Sequence, residues 1–482
     1  MSYSLTEIIK HTSIYSFGRL ASKAIGFLLI PLYTRFLTPE DYGVVEMLTM
    51  FIALSGIVIQ GGISAAIFKF YNECKSKIEQ DELICTILVF IFSLSLLFCV
   101  CTSLLSPTIS LIFLKTEDFS FYVVLMVVSF FFSTIANVPE TYLMAEKKSK
   151  IFTLISLATL VINLGFNIYA VAILNLGIEG ILYASVAARV FNNILLFSVF
   201  LNKVSFKLKF NKLKQVLSFS IPMIPAELGL FVYAYVDRFF LTHMSDLQSV
   251  GIYSLGYKFA FMISMLLVQP FMQIWQQKMY EIKKDEDAAI KFGKMFTYLF
   301  AFVLFAALFM SIFIKDTIAI MAAPEFISAW RVVPIIAFSY VFKSMYLFFQ
   351  MGMFFNSKTS YLSYIALLGA LISICMNYLL VPHLKELGAA FAILISTISI
   401  AAITLFVSQR LYKIKLEFLE LFKIIMLGSF LFFFYINISI EFPFISIMVK
   451  LSSIPVIFFL IRVFNVCNCK AFSFSKLIDS RY

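Results

Sequence analysis

The stretch Leu217–Lys258, LSFSIPMIPAELGLFVYAYVDRFFLTHMSDLQSVGIYSLGYK, decides how the rest of the chain is interpreted. It predicts a long apolar helix, a short polar turn and the start of a second apolar helix. Near the end of the first helix, Asp237 and Arg238 stand side by side in an otherwise apolar run. Charges at membrane depth are costly and face a polar interior, so this pair is a candidate functional site. Pro222 and Pro225 interrupt the same helix near its start, which a membrane tolerates only where protein or a cavity replaces the lost hydrogen bonds.

The composition of the whole chain points to a membrane protein. Of its 482 residues, 61% are hydrophobic and 13% are charged. Soluble domains have roughly 45–50% apolar and about 25% charged residues, so a soluble globular protein is excluded. Apolar runs of about 20 residues recur along the chain, each long enough to cross a ~30 Å hydrocarbon core. The first of them is too charged for a cleaved signal peptide and is expected to remain as a span.

We therefore predict an all-α polytopic membrane protein with about fourteen transmembrane helices. The predicted spans are 13–37, 43–68, 83–106, 119–143, 151–174, 178–201, 214–241, 250–275, 292–314, 330–355, 361–381, 388–409, 419–440 and 443–464. Lysine and arginine concentrate in the even-numbered loops and in both tails. The opposite loops hold only Lys115, Lys315, Arg331 and Lys385. This asymmetry predicts that both termini are cytoplasmic, and it explains the net charge of +11 without nucleic-acid binding.

The chain divides into two weakly similar halves. Each half opens with a span that ends in Arg-Phe, followed by a polar turn and a glycine at the start of the next span. These residues are Arg35 and Gly43 in the first half, and Arg238 and Gly251 in the second. Parallel six-span repeats place a substrate path between their halves. We predict a six-helix bundle at 1–202, a basic cytoplasmic linker at 203–213, a second six-helix bundle at 214–411, and helices 13 and 14 with a cytoplasmic tail at 412–482.

Basic side chains at or near membrane depth predict a cationic cavity. The candidate binding residues, which include the acid beside Arg238, are Arg19, Lys23, Arg35, Asp237, Arg238, Lys258 and Lys343. Arg19 and Lys23 are four residues apart on one helix face, where an anion between them would relieve their repulsion. Such a cavity suits a ligand that carries phosphate together with many hydroxyls.

Simpler interpretations of these residues stay open. Arg35, Lys258 and Lys343 could extend their charged ends to the membrane interface, and Asp237 could serve only to neutralise a neighbouring cation. Glu46 and Asp237 are also candidates for coupling transport to a proton gradient, a sodium gradient or the membrane potential.

The sequence predicts no catalytic or metal-dependent activity. The seven cysteines lack zinc-ligand or paired-disulfide spacing, and with three histidines no metal cluster is expected. No phosphate-binding glycine loop and no nucleophile elbow is visible, so neither ATP hydrolysis nor another enzymatic reaction is predicted. We expect no cofactor.

Two regions carry a family resemblance. The segments SFSIPMIPAEL, VDRFFL and VGIYSLGYKFA, between residues 218 and 260, resemble spans seven and eight of the Wzx-type O-antigen flippases. The N-terminal GRLASKAIGFLLIPLYTRFLTPEDYGVVEMLTM resembles the opening of the same polysaccharide-biosynthesis family, and Phe68-Lys69-Phe70-Tyr71 is similar to the end of its second span. The family belongs to the multidrug/oligosaccharidyl-lipid/polysaccharide exporter superfamily.

The resemblance implies two six-span bundles around a central cationic cavity, lined or gated by Arg19, Lys23, Arg35, Asp237 and Arg238. It implies a flippase that moves an undecaprenyl-pyrophosphate-linked oligosaccharide, such as an O-antigen unit for lipopolysaccharide, to the periplasmic face of the bacterial inner membrane. A polysaccharide polymerase and a chain-length regulator are the implied protein partners. Alternating access is the expected mechanism, with the polyprenyl tail remaining in the lipid bilayer.

Three other functions stay open. A flippase for the lipid-linked peptidoglycan precursor carries the same lipid pyrophosphate on a different head group. A cation-coupled drug exporter of the same superfamily would favour carboxylates in its cavity, whereas spans one and seven here carry cations. A membrane scaffold without transport activity is the third alternative.

Overall fold

The structure, a computed structural model, describes residues 26–201 and 208–436, and all regular elements within these ranges are helices. Their bounds are α1 Ile30–Phe36, α2 Pro39–Gln60, α3 Ile63–Glu73, α4 Lys77–Leu104, α5 Ser106–Leu114, α6 Ser120–Ala145, α7 Ser149–Asn167, α8 Gly177–Phe200, α9 Phe210–Ser220, α10 Ile224–Met244, α11 Leu247–Ile263, α12 Gln269–Ile282, α13 Ala288–Met321, α14 Val333–Phe349, α15 Met351–Phe355, α16 Ser360–Leu411 and α17 Phe418–Ile436. Short π-helical turns at Ile168–Ile173 and Ser264–Val268 and 3₁₀ turns at Ile221–Met223 and Pro324–Arg331 connect some of them.

The helices confirm the predicted all-α membrane fold. Within the described ranges, ten helical stretches are long and apolar enough to cross a membrane. Predicted spans two to twelve each fall on one of these stretches, and span thirteen falls on α17. The longest stretch, α16, holds spans eleven and twelve, which meet at a sharp turn at Lys385 (φ 48°, ψ −126°). Most of span one and all of span fourteen lie outside the described residues. The short helix α5, in the region predicted as a loop after span three, was not predicted.

The chain divides into two compact units, and the boundary along the sequence falls between Gly251 and Ile252, inside α11. We call the unit that ends at Gly251 unit 1 and the unit that begins at Ile252 unit 2. Predicted span seven, which comprises most of α9, the 3₁₀ turn Ile221–Met223 and most of α10, thus belongs to unit 1. The division at the 203–213 linker stays a prediction.

Unit 1 is held together by an apolar core between α3, α4, α6 and α8. Its buried members include Ile67, Ile84, Tyr142 and Phe200. Burial of these apolar side chains away from water holds the four helices together. The start of α2 is fixed separately by a capping box, in which the Thr38 hydroxyl accepts from the backbone N–H of Asp41 while the Asp41 carboxylate accepts from that of Thr38.

Two spans of unit 1 are interrupted at adjacent points. Span two breaks between α2 and α3, where Gly62 adopts a left-handed conformation (φ 71°). Span seven breaks at the 3₁₀ turn Ile221–Met223, as the two prolines predicted. A Cβ atom on Gly61 would lie 2.8 Å from Cγ1 of Ile224, so the two breaks pack directly against each other. Broken helices in membranes need such protein neighbours.

The centre of unit 2 is aromatic. The indole of Trp275 on α12 stacks on Phe348 of α14, with ring centroids 4.5 Å apart, and meets Phe292 of α13 edge-on at 5.7 Å. Phe296 of α13 continues the cluster against Phe349 at 4.7 Å. Offset and edge-to-face pairs of this kind add to the stabilisation that burial provides.

Candidate functional site

A buried group of charges joins α2 and α10 within unit 1. The Nε atom of Arg238 lies 3.8 Å from Oε2 of Glu46, and its Nη1 atom donates to Oδ1 of Asp237 at 3.3 Å. Glu46, Asp237 and Arg238 are 7%, 3% and 4% exposed, respectively. Each of the two helices places its charges about 10 Å from the helix end, at 1.5 Å per residue. We call these three residues the buried charge cluster.

The neighbouring residues hold the guanidinium in place. Nη1 of Arg238 also donates to the carbonyl oxygen of Ala234 at 3.3 Å, and the Tyr235 ring centroid lies 5.3 Å from the guanidinium carbon. The Asp237 carboxylate accepts the backbone N–H of Arg238 at 2.8 Å. Two carboxylates and one guanidinium thus lie together in a buried part of unit 1.

A close backbone contact joins the start of α2 to the start of α11, the helix that follows α10. A Cβ atom on Gly43 would collide with the carbonyl oxygen of Leu247, and one on Gly251 would collide with the carbonyl oxygen of Pro39. Each oxygen belongs to the residue four positions before the opposite glycine, so the contact is reciprocal. The glycines are the pair that the weak repeat identified in the sequence, and the structure brings them together within unit 1.

Polar side chains extend through the membrane interior of unit 1. On α6, Asn137 donates to the Gln60 side chain at 2.9 Å and accepts from Ser64 at 2.9 Å. One turn later on the same helix, Glu140 accepts from Asn192 at 3.0 Å. Both groups connect neighbouring helices, which is the usual role of polar side chains between membrane helices.

Unit 2 places two cations at mid-membrane depth. Lys258 on α11 and Lys343 on α14 are both half-buried. Each lies about 15 Å from the start of its helix, at 1.5 Å per residue, which is close to half of a ~30 Å hydrocarbon core. The ammonium of Lys343 lies 5.4 Å from the Tyr340 ring centroid. Charged side chains at such positions in apolar helices are candidates for a functional site.

The structure gathers some of the predicted site residues and separates others. It brings together Glu46, Asp237 and Arg238 in unit 1, whereas Lys258 and Lys343 belong to unit 2. Arg35 is exposed at the end of α1. Arg19 and Lys23 lie outside the described residues. The role of each residue in binding or coupling stays a prediction.

One polar cluster of unit 1 was missed in the sequence. At the end of α6, the Glu146 carboxylate accepts from the Tyr71 hydroxyl, from Lys77 at 3.2 Å and from Lys148 at 2.9 Å. Lys77 also donates to the hydroxyl of Tyr142 at 3.2 Å. We call these five residues the inner-end cluster. The Tyr71 and lysine donors outweigh desolvation and lower the pKa of Glu146 to about 2. The run Glu146-Lys147-Lys148 was a signal, but its partners are distant in the sequence.

No group of three or more histidine, cysteine, aspartate or glutamate side chains in the described ranges is arranged to hold a metal ion.

Ten helical stretches that are long and apolar enough to cross a membrane, within the described ranges, define a polytopic membrane protein. The lipid II flippase MurJ in an inward closed conformation is similar, with a TM-score of 0.76 at 14% identity over 94% of this chain and 98% of that one. An inward-facing MATE multidrug transporter of the MOP superfamily has a TM-score of 0.64 at 14% identity over 81% of this chain and 94% of that one. At such identities the likeness shows the shared fold.

The sequence itself gives the family. Residues 32–323, more than half of the chain, match the family described as polysaccharide biosynthesis protein, and the chain belongs to that family. An Lsg locus protein of Haemophilus influenzae is 23% identical over 421 residues, which cover 84% of this chain and 99% of that protein. A second membrane protein of the same organism, which has no assigned function, is 22% identical over 80% of this chain and 94% of its own length. The family resemblance that the motifs predicted is thus confirmed.

Proposed function

We propose that this protein is a flippase that moves an undecaprenyl-pyrophosphate-linked oligosaccharide, an O-antigen or similar repeat unit, across the bacterial inner membrane by alternating access. It would work with both termini in the cytoplasm and deliver its substrate to a polysaccharide polymerase and a chain-length regulator. Membership of the polysaccharide biosynthesis protein family supports the substrate class, and the likeness to the lipid II flippase supports a lipid-linked head group.

The observation that carries this proposal is the pair of half-buried lysines at mid-membrane depth, Lys258 and Lys343. A diphosphate cannot cross a hydrocarbon core without compensation for its lost hydration. Ammonium groups that are already held at that depth offer this compensation through charge-assisted hydrogen bonds. A drug exporter for cationic compounds would be opposed by the same two charges.

The buried charge cluster is the proposed coupling element. In this proposal one of the two buried carboxylates, Glu46 or Asp237, takes up a proton. Release of that proton in another conformation would link the transport cycle to a proton gradient. Glu46 is tested first, because its substitution leaves the contacts between Asp237 and Arg238 within α10 in place.

Restoration of surface glycan tests the transport proposal. The chain is expressed in a bacterium that lacks its polysaccharide flippase, and surface glycan and membrane protein level are both measured. Lys343→Met and Lys258→Met are expected to reduce glycan at least tenfold at unchanged protein level, while Arg331→Met, an exposed control, leaves it unchanged. Arg19→Ala and Lys23→Ala are expected to behave like the lysine variants. Normal glycan in the lysine variants would contradict the proposal, and loss of glycan without any loss of flipping in vesicles would favour the scaffold function.

The lipid II flippase is the second candidate, because the structural likeness to MurJ covers nearly the whole chain. Rescue of cells depleted of peptidoglycan-precursor flipping, without restoration of surface polysaccharide, would favour it. Increased resistance to cationic drugs without either effect would favour an exporter.

Coupling is tested with Glu46→Gln in proteoliposomes that contain a fluorescent lipid-diphosphate saccharide. The wild-type protein is expected to flip faster when a proton gradient is imposed, and Glu46→Gln is expected to lose this acceleration. Glu325→Gln, an exposed acid, serves as the control. Equal acceleration of wild type and Glu46→Gln would contradict a coupling role for Glu46.

A further inference from the structure

An aromatic ladder on α11 leads out of the core of unit 2. Tyr253, Tyr257 and Phe261 are four residues apart and therefore share one face of the helix. The Tyr257 and Phe261 rings are nearly parallel, with an interplanar angle of 14° and centroids 6.5 Å apart. Tyr253 is fully buried, whereas Tyr257 and Phe261 are half-buried. The ladder thus presents two partly accessible rings in succession.

Helix α14 supports this ladder from one side. The buried ring of Tyr340 meets Tyr257 at 6.5 Å and Phe261 at 6.3 Å, in both cases edge-to-face. Gly256 allows α11 to approach the 3₁₀ turn that precedes α14, because a Cβ atom there would collide with Val332 and lie 3.0 Å from the carbonyl oxygen of Ala329. Tyr340 therefore fixes the orientation of both half-buried rings.

A cation completes the arrangement. The Lys343 ammonium lies over the Tyr340 ring at 5.4 Å from its centroid, one helical turn beyond it on the same helix. Lys258 follows Tyr257 directly on α11. The helix then changes to a π-helical turn at Ser264–Val268, immediately after the ladder. Such turns are frequent at functional sites in proteins.

We propose that Tyr257 and Phe261 form a stacking surface for a sugar ring, and that Lys343 binds the phosphate attached to that sugar. A pyranose presents an apolar face of C–H groups to an aromatic ring and hydroxyls at its edge, where the Tyr257 hydroxyl provides a hydrogen-bonding partner. The Lys343 ammonium, which lies over the Tyr340 ring that supports both of these rings, provides the charge-assisted bond that a phosphate oxygen accepts. The ligand class is a glycosyl diphosphate, and the stacking surface recognises the sugar that is attached to the diphosphate.

This inference rests on the proposed function for the identity of the ligand, but head-group binding is measured separately from transport. The purified full chain in nanodiscs is titrated with two probes, farnesyl diphosphate and a farnesyl diphosphate that carries one N-acetylhexosamine. Phe261→Leu keeps an apolar side chain and removes the aromatic face. Phe302→Leu, at a 57% exposed phenylalanine on α13, is the matched control.

The wild-type protein is expected to bind the sugar-bearing probe more tightly than the sugar-free one. Phe261→Leu should weaken binding of the sugar-bearing probe roughly 3- to 10-fold, the size expected for one aromatic face, and leave the sugar-free probe unchanged. Tyr257→Phe should weaken only the sugar-bearing probe, and Lys343→Met should weaken both probes equally. Phe302→Leu should change neither.

Equal affinity of the wild-type protein for the two probes, or an equal change for both in Phe261→Leu, would overturn the sugar-binding surface. The two proposals fail in different ways. If sugar-selective binding is lost in Phe261→Leu but the wild-type protein restores no surface glycan, then the proposed function is wrong and the binding surface stands. If glycan is restored equally by wild type and Phe261→Leu and the probes bind alike, then the surface is wrong and the function stands.

Discussion

Unit 1 and unit 2 differ in the side chains that they bury. In the described part of the chain, the four buried charged side chains, Glu46, Asp81, Asp237 and Arg238, all belong to unit 1. The largest buried side chains of unit 2 are aromatic, with Trp275, Phe292 and Phe348 at the centre of the cluster. Two units of the same helical type are therefore stabilised by different interactions.

The difference separates two kinds of expected behaviour. Aromatic packing stabilises through buried apolar area and ring geometry, neither of which changes with pH or membrane potential. A buried group of two carboxylates and one guanidinium is less favourable for stability than apolar packing of the same volume, and it depends on keeping the opposite charges together. Unit 1 is therefore expected to be sensitive to the loss of one of these charges, and the aromatic centre of unit 2 to the loss of side-chain volume.

The largest expected effect comes from removing the cation of the buried charge cluster. Arg238→Met leaves Glu46 and Asp237 without their shared partner in a buried position. We expect a loss of roughly 3–5 kcal/mol in the free energy of unfolding, as for other broken buried ion pairs, together with complete loss of transport. Thermal unfolding of the purified protein and flipping in proteoliposomes measure the two effects.

A neutral version of the cluster separates stability from function. The triple variant Glu46→Gln/Asp237→Asn/Arg238→Met should recover most of the lost stability, because the two carboxylates are neutralised together with their shared guanidinium, and should remain inactive. If the triple variant transports at the wild-type rate, then the cluster has only a structural role.

The aromatic centre of unit 2 should respond in the opposite way. Trp275→Ala removes a buried ring that stacks on Phe348, and a loss of about 3–5 kcal/mol in unfolding free energy is expected. The variant should retain the pH dependence of transport in whatever fraction of the protein folds. Trp275→Phe is the matched control, because the indole N–H has no hydrogen-bond partner among the described residues. Its cost should stay below about 1.5 kcal/mol. A change in the pH dependence of Trp275→Ala would show that the two interiors are not independent.

The glycine contact of unit 1 gives a smaller effect. In Gly43→Ala, the new methyl group meets the carbonyl oxygen of Leu247, so the starts of α2 and α11 must separate. We expect a loss of about 1–3 kcal/mol in unfolding free energy, typical of an overpacked contact. Gly251→Ala should behave alike because the contact is reciprocal. Gly229→Ala, where a Cβ atom meets nothing within 4 Å, is the control and should be neutral or stabilising. Equal melting temperatures for Gly43→Ala and Gly229→Ala would contradict the contact.

Much of the fold could be predicted from the sequence, because a hydrocarbon core imposes long apolar runs whose limits can be read directly. Pro222 and Pro225 also indicated the break in span seven, because the effect of a proline on a helix is local. The pairing of Glu46 with Arg238 was beyond the sequence, because it depends on how α2 and α10 pack. For the same reason the sequence showed Glu46 and Asp237 as separate coupling candidates and gave no sign that one guanidinium serves both.

The inner-end cluster was missed for a related reason. Its tyrosines look like ordinary interfacial aromatics and its lysines look like ordinary loop charges that fix the orientation of the chain. Only the packed ends of α3, α4 and α6 bring Tyr71, Lys77 and Glu146 together. The same limit applies to the aromatic ladder, where the four-residue spacing of Tyr253, Tyr257 and Phe261 was visible but their contact with Tyr340 was not.

The smallest expected effect concerns side-chain clusters near the helix ends of each unit. In unit 1, Glu146 binds Lys77, Lys148 and Tyr71, whereas in unit 2 the rings of Phe292, Phe355 and Tyr412 pack together, with Phe355 and Tyr412 5.2 Å apart. The pKa of Glu146 is lowered to about 2 by its partners, so its stabilising contribution is fully present above its ordinary value near 4.5 and disappears as the pH falls through about 2. Glu146→Gln should therefore lower the unfolding free energy by about 1 kcal/mol at pH 7, since the ion pairs are partly exposed.

The same variant should approach the stability of the wild type as the pH falls from about 4.5 to about 2, because the wild-type carboxyl then also becomes neutral. Phe355→Leu in unit 2 is the counterpart without a titrating group, and its difference from the wild type should stay constant over the same range. Thermal unfolding in detergent at several pH values between 7 and 2.5 measures both differences. If the difference in stability between Glu146→Gln and the wild type is also constant with pH, then ionisation of the Glu146 carboxylate does not stabilise the protein. The contrast between the buried charges of unit 1 and the aromatic centre of unit 2 would then not extend to the helix ends.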